Sequence, residues 1–285
     1  MFEKVSSVAI AGMFFSLFVS VLYPVLLLVY WKITQKPKLL PAVIGAITFI
    51  LFALTLEQIL HTVVMTAIGK GDMILGSQKL ASNVWIYGLY GGLCAAVFEE
   101  IGRFLAMKIC MKKSLDKKNA IMYGIGHGGI EAIIILGAAE ISNIATSLAI
   151  NSGSIDTIFS AIPEAQRDTV YEQVAALWRT PATSFYYAGL ERITAVTLHI
   201  CLSYMVYRFV KYNEKKFFLV ALGMHFLVDF GTVVMSKALP MIAIEIILAV
   251  VVIVFLVCVV KIYKAEEIVE PIMGTDTSAS DNGDR

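Results

Sequence analysis

The sequence predicts an all-α, polytopic transmembrane helix bundle of about seven spans, with the N-terminus outside and the C-terminus cytoplasmic. Three observations carry that expectation. The 285 residues are 58% hydrophobic and 16% charged, with positive mean hydropathy, where a soluble domain is about half apolar and a quarter charged. The apolar residues gather into windows of about 20 residues or more, the length that crosses about 30 Å of hydrocarbon. The basic residues crowd alternate connections between those windows. The net charge of +1 argues neither for nor against nucleic acid, and no nucleic-acid partner is expected.

The windows fall at about 8–31, 39–68, 84–108, 119–150, 183–209, 217–236 and 240–262. The first is too long for the apolar core of a signal peptide and reads as a retained helix. The second contains Glu57 and His61 four residues apart, a natural pair near the outer surface. The fourth is long enough to tilt or break, and Gly124, Gly126, Gly128 and Gly129 allow either a break or a close helix contact. Lys237 and Pro240 leave a tight turn between the sixth and seventh. Residues 1–265 are expected to form one transmembrane domain with its core at 84–236, and the polar, acidic segment 266–285 reads as a disordered cytoplasmic tail. Cys94, Cys110, Cys201 and Cys258 lack CxxC spacing, so neither a disulfide framework nor a thiolate zinc site is expected.

Lysines and arginines set the orientation. Lys32, Lys36 and Lys38 follow span one, five lysines from Lys108 to Lys118 follow span three, and Arg208 to Lys216 follow span five. The positive-inside rule makes these connections cytoplasmic. The loop at 151–182 is then outside; Pro163 can open a short helix there. Val170, Val174, Leu177 and Trp178 would share one face of it, suiting either a helix on the outer membrane surface or a folded loop over the bundle.

Span three is the anomaly, because its apolar run carries Glu99, Glu100 and Arg103. A charge at mid-bilayer costs roughly 2.5–3.5 kcal/mol on insertion scales, so such residues mark a functional site by default. Glu99 and Arg103, four apart, share a face. Glu100 points about 100° away and is expected to find its partner on another helix. Counting 1.5 Å per residue from the cytoplasmic end, Glu100, His127 and His225 lie about 12 Å deep and His199 about 14 Å, so four antiparallel spans bring ionisable residues into one layer. His61, about 33 Å from that end, falls outside the layer and reads as structural. Within the layer, His127 with Glu131, His225 with Asp229, and Arg192 with His199 each share a helix face, where a carboxylate can hold the second nitrogen of an imidazole.

Two chemistries suit such a set. Three imidazoles and a carboxylate can bind zinc, which lowers the pKa of a bound water towards 7. A carboxylate in apolar surroundings can instead act as general base on water without a metal, with imidazole stabilising the oxyanion. A single histidine–carboxylate pair is equally well explained as a bundle contact; four helices meeting at one depth are not.

These residues resemble the intramembrane proteases that include the CAAX protease and bacteriocin-processing family and the PrsW family, and most closely the YhfC family of intramembrane metalloproteases. Glu99-Glu100-Ile101-Gly102-Arg103 is similar to the EExxxR motif, one residue shorter and nearer the EExxK form of PrsW. Tyr123 to His127 is similar to FxxxH, His225 to Asp229 to HxxxN or HxxxD, Glu131 to the glutamate on that helix in PrsW-like members, and Arg192 to His199 to the PrsW arginine-to-histidine segment. The resemblance implies an integral protein of a bacterial cell membrane that cuts a membrane-associated peptide or protein. Glu99 or Glu100 would activate water, His127 and His225 would bind a metal, zinc or another divalent ion, or stabilise the oxyanion, and His199 would be a further ligand. The reading is an intramembrane endopeptidase with a wet cavity opening towards the cytoplasm. Its rivals are a proton- or cation-coupled transporter, since buried acid and histidine chains also relay protons, and a non-catalytic membrane scaffold.

Overall fold

A computed structural model describes residues 2–69 and 83–276. Its regular elements are all helical: α1 (Ser7–Gln35), α2 (Leu40–Leu51), α3 (Gln58–Gly69), α4 (Val84–Leu105), α5 (Lys117–Ala132), α6 (Ala138–Ser152), α7 (Ile155–Ser160), α8 (Glu164–Arg179), α9 (Ala182–Tyr212), α10 (Lys215–Met235) and α11 (Met241–Asp276). Three π-helical turns interrupt the run. Phe52–Glu57 joins α2 to α3, Ala106–Cys110 continues α4, and Ile133–Gly137 joins α5 to α6. Each holds one more residue per turn than an α-helix and so rotates the side chains beyond it.

Six helices among the described residues are long and apolar enough to cross a membrane: Ser7–Gln35, Leu40–Val64, Lys117–Ser152, Ala182–Tyr212, Lys215–Met235 and Met241–Glu266. Seven windows were expected. The one outside the six is α4, whose charged residues Glu99, Glu100 and Arg103 are all buried. It lies along α10 and also meets α2 and α9. The last helix runs through Asp276, so the tail read as starting at 266 begins within it; residues 277–285 lie outside the described residues.

The bundle is built on α5 and α9. Nearly every residue of α5 is buried, and α9 is buried without a break from Cys201 to Tyr207. Helices buried on most of their circumference are enclosed by others: α5 meets α1, α2 and α9, and α9 also meets α10 and α11. The glycines of α5 allow the approach. A Cβ at Gly126 would fall 2.0 Å from the Ala42 carbonyl oxygen, and one at Gly45 would fall 2.3 Å from that of Tyr123. The expected glycine-rich stretch is therefore a close helix contact, and the irregular turn comes later, at Ile133–Gly137.

Polar ties fix the ends. Asp116 caps α5, while Asn119 donates to Ser114 O and accepts from Lys38 N–H, joining the starts of α2 and α5. On α11, Glu266 is buried and accepts from the hydroxyls of Tyr204, Tyr207 and Tyr212 at 2.6, 2.7 and 3.0 Å, binding α11 to α9. At the opposite end, Pro163 opens α8. Leu177, with Val174 and Trp178, packs on Val5, Ala9, Met13, Ile144, Ile150 and Ile155. This face is satisfied by the bundle, so of the two readings of the loop the folded cover is the one the packing matches.

Gly126→Ala is expected to destabilise the bundle by about 1–3 kcal/mol, since the added carbon can be admitted only by moving backbone. Gly223→Ala, where a Cβ meets open space, should be neutral or slightly stabilising. Thermal unfolding of both variants in detergent checks the contrast.

Candidate functional site

Beyond Gly92, α4 turns Glu99, Glu100 and Arg103 into the bundle, and Arg103 becomes its hub. Its Nη1 donates to Glu100 Oε1 at 2.9 Å, and its Nη2 lies 3.4 Å from Glu99 Oε2. Both glutamates therefore have a partner within one turn of α4. The expectation that Glu100 has none fails because an arginine side chain spans i to i+3 as well as i to i+4. Glu100 also meets another helix, as expected, through His225 Nδ1 at 2.8 Å.

Nη2 of Arg103 further lies 3.0 Å from His127 Nε2 on α5 and 2.8 Å from His199 Nδ1 on α9. His127 Nε2 is itself 2.9 Å from Glu99 Oε2. Glu100, Arg103 and His127 are fully enclosed, and Glu99, His199 and His225 nearly so. Helices α4, α5, α9 and α10 thus contribute to one buried polar layer.

The pairing inside the layer crosses between helices. Glu131, one turn from His127, turns instead to α9, where its Oε2 lies 2.5 Å from His199 Nε2 and its Oε1 accepts from Arg192 Nη1 at 3.0 Å. The approach of His199 is off the hydrogen-bond axis, since Oε2 has no in-line donor. A hydrogen on Nε2, on the side of Glu131, is the tautomer that would leave the Nδ1 lone pair facing Arg103. Arg192, expected beside His199, is one residue further out and clamps Glu131 and Glu191 instead. Of the histidines in this layer, His225 keeps its expected i+4 partner, with Asp229 Oδ2 3.5 Å from Nε2.

One ligand atom from each of Glu99, His127 and His199 lies within 4.8 Å of the others. This donor set fits a divalent metal. Carboxylate oxygen and imidazole nitrogen bind zinc at about 2.0–2.2 Å, and the 2.9 Å between Glu99 Oε2 and His127 Nε2 and 3.8 Å between Glu99 Oε2 and His199 Nδ1 bracket the spacing such ligands adopt around one ion. His225, also expected as a ligand, stands apart from this group, its Nε2 4.0 Å from Glu99 Oε1.

A cavity of about 670 Å³ reaches the layer, with Glu99, Glu131, His199, His225 and Asp229 in its wall. Its other lining residues lie consistently to one side. On α4 they precede Glu99 (Tyr87, Tyr90, Gly91), on α9 they precede His199 (Arg192, Thr194, Ala195), and on α10 they follow His225 (Val228, Thr232, Val233). The cavity therefore opens away from the lysine-rich end of the bundle. The sequence reading placed the opening on the lysine-rich side; the lining residues lie on the other side of the layer. Depth counting gives distance from an end and says nothing about which end is sealed, and the lysine-rich side is closed by the fully buried Met107, Met111, Tyr123, Tyr204 and Tyr207.

His61 lines this cavity too, 2.9 Å from the Tyr90 hydroxyl through Nδ1 and 3.1 Å from Glu57 through Nε2. The expected Glu57–His61 pair is present. Its place on the cavity wall was missed because the depth argument sought residues level with Glu100, whereas the cavity runs along the bundle. Tyr90, which reads in sequence as packing and interface anchoring, carried no signal that set it apart.

The protein family described as YhfC intramembrane metalloprotease matches residues 19–260. The chain is 32% identical over 235 residues, 82% of this chain and 88% of the relative, to the uncharacterized membrane protein YhfC of Bacillus subtilis (strain 168). No solved structure matches.

Arg192→Met should strand Glu131 and Glu191 in the bundle at a cost of about 3–5 kcal/mol. The loss would be read as a lower unfolding midpoint in detergent, and adding Glu131→Gln with Glu191→Gln should restore most of it.

Proposed function

The chain belongs to the YhfC family of intramembrane metalloproteases, and from that membership and the buried layer we propose that it is a membrane peptidase hydrolysing a peptide bond of a membrane-associated peptide or protein. The observation that carries the reading is the convergence of Glu99, His127 and His199 donor atoms within 4.8 Å at the inner end of a cavity large enough for a short stretch of peptide. Zinc or another divalent metal held by these three would supply a Lewis acid that activates water and polarises the scissile carbonyl.

The protein's own groups divide the remaining work. His199 presents Nδ1 because Glu131, clamped by Arg192, holds its other nitrogen. Glu99 turns Oε2 towards His127 and Oε1 towards His225. One carboxylate therefore faces both the ligand group and a histidine able to move a proton. His225 is aligned for that task by Glu100 on Nδ1, with Asp229 beside Nε2 on the open side of the cavity. Glu100, fully enclosed and absent from the cavity wall, is thus a positioning residue, and Glu99 is the glutamate that reaches water.

We further propose, from the positive-inside rule, that the lysine-rich end is cytoplasmic, so that substrate reaches the site from the outer half of the bilayer. The apolar wall residues Val233, Leu248 and Val252 suit an apolar segment better than a charged one.

Purified protein in liposomes, offered membrane-tethered peptides with products read by mass spectrometry, tests the activity. Glu99→Gln and His127→Ala should each lower cleavage by about 10²–10⁴-fold while leaving the fold intact, and chelation should remove activity that added zinc restores. Full cleavage by either variant would sink the assigned roles, and flux without hydrolysis would favour a transporter. In a background without native cysteines, Tyr87→Cys should react with an impermeant thiol reagent on intact cells; labelling only in inverted vesicles would reverse the direction of access.

A further inference from the structure

We infer that the guanidinium of Arg103 and a divalent cation are alternative occupants of one seat among Glu99, His127 and His199, so that Arg103 is an internal counterion that must withdraw before those residues hold an ion. The inference rests on the metal reading of the site and adds to it a residue that sets how readily the ion is taken up.

The first observation is position. Nη2 of Arg103 stands 2.8 Å from His199 Nδ1, 3.0 Å from His127 Nε2 and 3.4 Å from Glu99 Oε2. These are the three side chains whose donor atoms converge. Metal bonds of about 2.0–2.2 Å would need only a modest contraction of the group around the same point. An ion and this nitrogen cannot share it.

The second observation is a count of hydrogens. Nη2 carries two, yet three atoms that would each have to accept one surround it. His127 Nε2 adds a conflict, being 2.9 Å from Glu99 Oε2 and 3.0 Å from Nη2. If Nε2 carries a hydrogen for Glu99, that hydrogen meets the N–H of Arg103. If it carries a lone pair for Arg103, that lone pair meets the carboxylate. Some contact in the group is frustrated whichever tautomer is chosen. A single-atom cation satisfies all three acceptors together, which a planar guanidinium cannot.

The third observation is independent and concerns where Arg103 would go. Among the described residues, Arg103 Nε and Glu100 Oε2 are both buried without a hydrogen-bond partner. They belong to residues already joined through Nη1 and Oε1 at 2.9 Å. Nε shares its edge of the guanidinium with Nη2 rather than with Nη1, so a two-bonded arginine–carboxylate fork onto Glu100 would be made by Nε and Nη2. Turning Arg103 towards Glu100 would empty the seat and give both orphaned atoms a partner without bringing the charge out of the core.

The test is metal binding to chelator-stripped protein in detergent, by calorimetric titration and by the visible absorption of Co²⁺. Arg103→Gln is expected to bind Co²⁺ about tenfold tighter than the unaltered chain, within the range usual for coupled sites, and to show a larger metal-induced rise in unfolding temperature. Glu99→Gln added to Arg103→Gln should abolish the gain. Should Arg103→Gln fail to fold, Arg103→Lys keeps the charge but lacks the fork that spans Glu100 and the seat at once, and should show a smaller gain of the same sign. Equal or weaker Co²⁺ binding by the variant that folds would overturn the inference. If the unaltered chain binds Co²⁺ and cleaves peptide while the variants gain nothing, the shared seat alone falls. If no form binds Co²⁺ yet peptide is cut, the shared seat and the metal reading fall together. Tighter binding by the variants with no cleavage by any form would uphold the shared seat and sink the peptidase.

Discussion

An arginine and two glutamates on one turn of α4, all removed from water, are the constraint around which this bundle is arranged. An isolated charge in so apolar a setting is costly enough that each must be matched at close range. Arg103 meets both carboxylates, but two acids to one base leave an excess acceptor charge. The imidazoles of His127, His199 and His225 are the polar groups drawn in beside it. They come from α5, α9 and α10, so the need to satisfy one helical turn fixes where four helices stand relative to each other.

The packing follows from that demand. Histidines from α5 and α9 reach the same guanidinium only if those helices stand close to α4 and to each other. The glycines of α5, abutting Ala42 on one side and the α9 backbone on the other, remove the side chains that would hold them apart. Glu131 and Arg192 then form a supporting layer behind His199. Their conjunction sets a carboxylate against Nε2 of His199 and leaves Nδ1 towards Arg103. This is how a structural need and a chemical capacity come to rest on the same atoms: the groups that surround an internal cation are of the donor types that could hold an external one.

The asymmetry of the layer matters as much as its composition. Methionine and tyrosine side chains close one side of it, while the opposite side opens into a cavity along α4, α9, α10 and α11. Among the described residues, the cavity reaches Glu99, His225 and Asp229 from that side of the layer. Glu57, His61 and Tyr90 line or support the same passage, so a second polar group lies on the route to the first.

The sequence by itself determined the helical membrane architecture, because length and apolarity of each segment are local properties and the bilayer admits few alternatives. It also determined which residues are anomalous: Glu99, Glu100, Arg103 and the histidines stand out since ionisable groups in apolar runs need no neighbours to be recognised. Their common depth was legible too, as a helix advances a fixed distance per residue. Only the tertiary structure decided the partners. Helical spacing pairs Glu131 with His127 and Arg192 with His199, yet Glu131 joins His199 and Arg192 joins Glu131, because a side chain between packed helices lies as near its neighbour helix as its own. The open end of the cavity was likewise decided by how bulky side chains from separate helices fill one side of the layer, a property of their sum that no single segment carries.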